Sequence, residues 1–293
     1  MGGRTGEGGG VSGFVFRRLE KPEEFRAAEE LQRSGPTGAD EPVVPVSILR
    51  AVQDHGGLVL GAFADIYLAG VSLGFLGWDG SALYHYVHRF AVRPEYRHHG
   101  LGFRLAGVLR DEVRRQGIDS VRGSFDPLSR EGATLAVHRL GALPDRYLVH
   151  YYGQQGGSDA VDRESDRLRF GWMLSSPLVE ERIAATRANR EAAGATSSGI
   201  PEVVETQVGE SGLRIPIAVV EPTAPRVRLE IPFDLDLVRQ HEPRSSSVWR
   251  HAVRDAFRAS FDLGYTVDDF VTFREGHERR GAYVLAKSTP PPS

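Results

Sequence analysis

The feature that most constrains this chain is a junction, RFAVRPEYRHHGLGFRLAGVLRDEVRRQG, Arg89 to Gly117. The alternating apolar run LYHYVHRFAV (83–92) reads as a strand and stops before Pro94, which lacks the N–H that a central strand position needs. Arg97-His98-His99-Gly100-Leu101-Gly102 follows, and the segment 102–116 then has the spacing of an amphipathic helix. A helix N-terminus offers unpaired backbone N–H groups and the positive end of the macrodipole, and phosphates bind there. Glycine at 100 and 102 lets the backbone approach a ligand closely and take dihedrals that other residues avoid. Arg97 can add a charge-assisted contact to phosphate. The stretch is therefore a candidate pyrophosphate cradle. The plain alternative is a glycine-rich turn that holds nothing.

Two other phosphate patterns are excluded. GxxxxGK[ST] is absent, and GxGxxG fails because Leu105 stands where the third glycine belongs. The pattern that fits is Arg-x-x-Gly-x-Gly.

The surrounding elements follow from periodicity and from turn residues. Residues 14–19 alternate as a strand, and Pro22 opens a helix with acidic residues in its first turn. A short helix is expected over 45–54 and strands over 57–65 and 68–78. Residues 119–125 form the next strand, ended by Asp126-Pro127. A helix over 130–140 is closed by Gly141 at a C′ position. Strands are expected over 147–153 and 166–174. The order β, α, α, β, β, β, α, β, α, β, β describes a mixed α/β (α+β) sheet flanked by helices.

Past Ser176 the composition changes. Residues 179–200 read as a helix fraying into a linker, and 201–287 as a smaller α+β region. Its helix, 247–265, places Trp249, Val253, Ala256, Phe257 and Phe261 near one face. Residues 1–12 and 288–293 read as disordered tails. The segment 163–169 (RESDRLR) reads as a solvated loop leading into a strand.

Composition bounds the chemistry. A chain of 293 residues with 40% hydrophobic and 26% charged residues fits a soluble globular protein. With no cysteine, disulfides, thiolate metal sites and thiol nucleophiles are excluded. A net charge of −3 argues against nucleic acid as a partner. No apolar run approaches the roughly 20 residues that span a bilayer, so no membrane partner is expected and a cytoplasmic location is the default. His85 and His88, three apart on a strand, face opposite ways and make no metal pair.

The stretch 97–102, behind the strand FAV and the turn RPEY, resembles the acyl-CoA pyrophosphate loop of the GNAT acetyltransferase superfamily. The order of elements from 14 to about 174 is similar to that fold throughout. FDPL, RLGAL, YLVHYYG and SDRLRFGWML together resemble an uncharacterised bacterial branch that carries an extra C-terminal region, here 201–287. The resemblance implies a GNAT-like domain over 13–178 and acetyl-CoA, or another acyl-CoA, as co-substrate with no metal. It implies N-acyl transfer to a small amine-bearing acceptor, or else a catalytically silent CoA-binding module. Carried over, Phe90, Ala91 and Val92 would pair with the pantetheine arm in the gap beside the fourth strand. The backbone amides of His98, His99, Gly100, Leu101 and Gly102 would hold the pyrophosphate beside Arg97. A base is needed for the acceptor ammonium, and His88, on the same strand face as Phe90 and Val92, is the first candidate. Glu95 is the weaker one.

Two positions depart from the family pattern. Gly132 stands where an asparagine usually contacts the pantetheine, and Val137 where a tyrosine usually serves as acid. Tyr147, Tyr151 and Tyr152 on the next strand are alternatives, though with Trp172 they also read as packing. Asp126 is a further, weaker catalytic candidate. Residues 201–287 could cover the acceptor site or build a homodimer interface.

Overall fold

Apolar alternation and turn residues build two compact units in the computed structural model, which describes residues 13–33, 42–153, 164–188 and 199–287. One unit is Met1–Leu76 with Val87–Gln116, and the other is Gly77–Tyr86 with Gly117–Ser293. The tails expected at 1–12 and 288–293, and part of the linker expected at 179–200, lie outside the described residues.

The first unit contains β1 (Phe14–Arg18), β2 (Leu58–Ala64) and most of β3 (Tyr67–Trp78), in the order β1-β2-β3, followed by the C-terminal half of β4 (Leu83–Val92). β1, β2 and β3 pair antiparallel, with Phe14 opposite Ala64 and Leu58 opposite Gly74. β2 is buried along nearly its whole length, which is why it reads as a continuous apolar run and not as a clean alternation. The helix α1 (Pro22–Arg33) turns Phe25, Ala28 and Leu31 inward. Its Glu24 carboxylate accepts the N–H groups of Glu20 and Lys21 at 2.8 and 3.2 Å, satisfying donors ahead of the helix. α2 (Val46–Asp54) adds Leu49 to a core shared with Leu19, Val59, Phe63 and Val71. α3 (Leu101–Arg115) buries Leu101, Leu105, Leu109 and Val113, an i, i+4 stripe.

In the second unit β5 (Ser120–Phe125), β6 (Leu143–Leu148) and β7 (Arg167–Met173) pair antiparallel in the order β5-β7-β6. Between β5 and β6 lies α4 (Arg130–Ala133), which widens into a π-helical stretch over Thr134–Arg139. Gly141 follows at φ 67°, as its C′ position demanded. After α5 (Pro177–Arg187) come the hairpin β8 (Val204–Val208) and β9 (Arg214–Val219), then β10 (Arg226–Ile231). α6 (Leu235–His241) and α7 (Pro243–Asp262) precede β11 (Tyr265–Glu275) and β12 (Glu278–Lys287). The strand order there is β10-β12-β11, antiparallel, and one parallel bridge joins Glu202 to Arg228. The class is thus the expected α+β, mostly antiparallel and flanked by helices. Trp249, Val253, Ala256 and Phe257 face inward as the helical pattern predicted, with Phe261 partly buried beside them. Buried side chains from both sides of the expected 179–200 linker share this core, among them Leu128, Val137, Leu168, Val227, Phe257 and Tyr283.

Two local expectations are corrected. The strand expected over 147–153 begins at Leu143 and ends at Leu148, and residues 149–152 form turns. Residues 164–166 are not a solvated loop, because Ser165 and Asp166 are buried, while the strand expected after them begins at Arg167. The two corrections have one cause. Asp166 accepts the N–H of His150 at 3.0 Å, Ser165 Oγ that of Tyr152 at 2.9 Å, and Ser165 O that of Tyr151 at 3.1 Å. With those donors occupied, no strand ladder can continue through them.

Candidate functional site

The site expected from sequence begins at the end of β4. Alternation puts Tyr84, Tyr86, His88, Phe90 and Val92 on one face of that strand. Past Val92, Arg93 donates its backbone N–H to Ala69 O at 2.9 Å and its Nε to Leu68 O at 2.7 Å, fixing the strand end against β3. Pro94–Tyr96 is one 3₁₀ turn, closed by Arg97 N–H to Pro94 O at 3.1 Å, and the Tyr96 ring meets Phe14 edge-on. Arg97 Nε then donates back to Val92 O at 3.0 Å. Its side chain therefore braces the loop against the strand that precedes it.

The backbone turns into α3 through two left-handed residues, His98 at φ 64° and Gly100 at φ 74°. Gly100 suits that region without cost, while histidine is among the residues that tolerate it. A Cβ at Gly100 meets nothing within 4 Å, so the backbone there is open to an approaching group. The first helical bond is Arg104 N–H to Gly100 O at 3.1 Å. The N–H groups of Leu101, Gly102 and Phe103 therefore lie ahead of the helical ladder, at the positive end of the helix. Leu101 and Leu105, both fully buried, hold that end in place. The imidazoles of His98 and His99 are exposed, in line with a backbone-only role.

His88 is half-buried, 6.2 Å from the Phe75 ring centroid, and burial pushes its imidazole below the ordinary 6.5. That shift favours the neutral imidazole, the form able to accept a proton. His85, facing the other way, is fully buried with neither ring nitrogen hydrogen-bonded, and burial takes it down to about 4. Glu95 lies exposed in the 3₁₀ turn.

The second unit accounts for the departures at 132 and 137. Ser129 caps α4 by accepting the N–H of Gly132 at 3.1 Å. A Cβ at Gly132 would come within 3.1 Å of both the Phe125 ring and Ser129 Oγ, so a larger residue there must displace its neighbours. Val137 is fully buried in the core. Among the alternative acids, Tyr147 donates its hydroxyl to Asp166 at 2.7 Å and lies within the core. Burial, with the nearby carboxylate, drives that phenol far above its ordinary range. Tyr151 and Tyr152 are exposed and stack edge-on at 4.8 Å.

Sequence reasoning passed over Tyr86, whose hydroxyl hydrogen-bonds with Ser124, Tyr151 and Tyr152, and whose phenol is raised chiefly by burial. The signal was present, because Tyr86 is two residues before His88 on the same strand face. Asp126 is tied up structurally, since both carboxylate oxygens accept from Arg250 at 2.9 and 3.0 Å. His150, Glu164 and Asp166 bring potential ligand atoms within 4.8 Å of one another, but Arg254 hydrogen-bonds both carboxylates. No helix among the described residues is long and apolar enough to cross a membrane.

A strand end, a turn with two left-handed residues and an open helix N-terminus form an arrangement whose backbone amides are able to hold a phosphate-bearing ligand. Residues 24–141 match the family model described as acetyltransferase (GNAT) family, so the chain contains a GNAT-family domain over that stretch. No curated protein matches the chain. Among solved structures, the ribosomal-protein-S18-alanine N-acetyltransferase from Escherichia coli is 18% identical, with a TM-score of 0.45, covering 56% of this chain and 95% of that one. yncA from Salmonella typhimurium, solved with its cofactor acetyl-CoA, is 19% identical with a TM-score of 0.44, covering 56% and 96%. An N-acetyltransferase from Staphylococcus aureus Mu50 is 12% identical with a TM-score of 0.46, covering 56% and 100%.

Proposed function

We propose that this chain is an acyl-CoA-dependent N-acyltransferase, with acetyl-CoA as donor and a small amine-bearing molecule as acceptor. The observation that carries the reading is the turn at 97–102, where left-handed His98 and Gly100 deliver the chain into α3 with its first-turn N–H groups ahead of the ladder. The backbone at Gly100 is open to an approaching group, and the family match covers the same residues. Phe90, Ala91 and Val92 would hold the pantetheine arm, and the amides from His98 to Gly102 the pyrophosphate, with Arg97 bracing the loop. The thioester supplies an activated acyl carbonyl and a thiolate leaving group. His88, its neutral form favoured by burial, takes the proton from the acceptor ammonium, leaving the nitrogen lone pair free to attack. Glu95 is the weaker candidate for that task.

A second reading, a CoA-binding module without turnover, is favoured by two observations. Val137 is sealed in the core, and the Tyr147 hydroxyl is committed to Asp166. Thermal stabilisation by acetyl-CoA, combined with thiol release across an amine panel, separates the readings. Ligand at 100 times Kd stabilises by about 2.7 kcal/mol. Stabilisation with thiol release supports the enzyme, stabilisation without release supports the module, and no stabilisation refutes both.

A further inference from the structure

We propose that the C-terminal part of the chain carries a docking groove for a basic, leucine-bearing peptide segment of a partner protein. The groove lies between the end of β9 and the last turns of α7, with a volume of about 400 Å³. Its floor is apolar, made by Val219, Val220, Ala259 and Leu263. Three of these are large apolar side chains left in solvent, Val219 and Val220 at 40% and Leu263 at 38% exposure, and Ile217 at 54% continues the patch along β9. Contiguous exposed apolar surface with a polar rim marks an interaction site.

The rim states the charge of the occupant. Glu221, Asp255 and Asp262 line the groove, and among the described residues none of the three has an ion pair. Asp255, Ala259 and Asp262 are spaced i, i+4, i+7 and so share one helix face. Arg258 sits three residues from one aspartate and four from the other, yet pairs with neither. Elsewhere on α7 the carboxylates within reach are matched, Asp126 by Arg250 and both Glu164 and Asp166 by Arg254. Three unmatched negative charges around an apolar floor complement a segment that alternates basic and apolar side chains.

The test uses the full chain and a fluorescein-labelled heptapeptide of alternating arginine and leucine, read by anisotropy. Saturable binding is expected, weakening at least tenfold from 50 to 300 mM salt. Asp255→Lys with Asp262→Lys should weaken it at least tenfold, and so should Leu263→Asp. All three positions are solvent-exposed, so folding is checked directly by circular dichroism. Asp236→Lys with Asp268→Lys, the same total charge change at two exposed positions elsewhere in this unit, should leave binding within twofold. The proposal is overturned by no binding, by equal binding of a leucine–glutamate peptide, or by indifference to the groove variants. Equal binding of spermine would assign the groove to a small polycation instead. Self-association of the chain abolished by the same variants would assign it to a second copy.

Discussion

Arg250→Met tests how the second unit is held together. The guanidinium of Arg250 is 1% exposed and makes two hydrogen bonds to Asp126, at 2.9 and 3.0 Å. Burial alone would raise the Asp126 carboxyl, but the charge and hydrogen bonds of Arg250, with the Leu128 N–H, bring it below its ordinary 3.8. Removing the arginine leaves a buried carboxylate uncompensated, which costs about 3–5 kcal/mol. Replacing both partners, Asp126→Asn with Arg250→Met, should recover most of that loss, because no buried charge remains and asparagine can still accept the Leu128 N–H. All three tryptophans, at 78, 172 and 249, lie in the second unit, so their fluorescence during urea denaturation reports its unfolding. The pH dependence gives a second signature. In the parent chain the depressed Asp126 pKa contributes stability above its unfolded value, and that contribution is lost as pH falls through the folded value. In Arg250→Met the unpaired carboxyl is raised, so that variant regains stability as acid protonates it. The deficit should therefore be largest near pH 7 and shrink toward pH 4. A cost below about 1 kcal/mol, or a deficit constant across that range, refutes the reasoning.

Three further perturbations address other parts of the chain. Gly100→Ala places a side chain at φ 74° with no steric neighbour, so its cost is conformational, about 1–2 kcal/mol; if the loop gives up its turn, acetyl-CoA affinity falls roughly 5- to 30-fold by calorimetry, and unchanged affinity argues against the cradle. His88→Ala should lower turnover by about 10²-fold or more while leaving acetyl-CoA affinity nearly intact, and equal loss of both would contradict a base. Glu202 is raised to about 7, by burial first, with Arg228 and Arg280 pulling it down and Glu230 pushing it up. A raised carboxyl contributes stability that is full below its unfolded pKa and is lost as pH rises through about 7. The stability of Glu202→Gln relative to the parent should therefore grow from pH 6 to pH 8 in urea titrations, and parallel curves would exclude the effect.

What could be read from the sequence was local. Pro94, Gly100 and the amphipathic run after it specify strand end, turn and helix within a dozen residues, because each acts on its own backbone or on neighbours one turn away. The same holds for Gly141 after its helix and for the buried face of α7. The illegible part consists of polar groups that meet across long separations. Ser165 and Asp166 capture the N–H groups of residues 150–152, and no periodicity announces that a polar run will be buried against a strand end.

Asp126-Pro127 shows both kinds of information in two residues. That the strand stops there was legible, and the Asp126 carboxylate accepting the Leu128 N–H at 2.9 Å is the local turn such a pair favours. What it meets beyond that turn was not legible, since Arg250 is 124 residues away. The neighbouring residues are held in the same manner. The Tyr283 hydroxyl donates to Pro127 O at 2.9 Å, and Arg130 Nε donates to Phe233 O at 2.8 Å. Three of the five residues from Asp126 to Arg130 are thus held by three different segments of the region after residue 201, α7, β12 and the β10–α6 connection. A segment tied at three points in this way has fewer conformations open to it. Residues 201–287 therefore do more than extend the chain: they set the geometry of the segment that leads from β5 into α4.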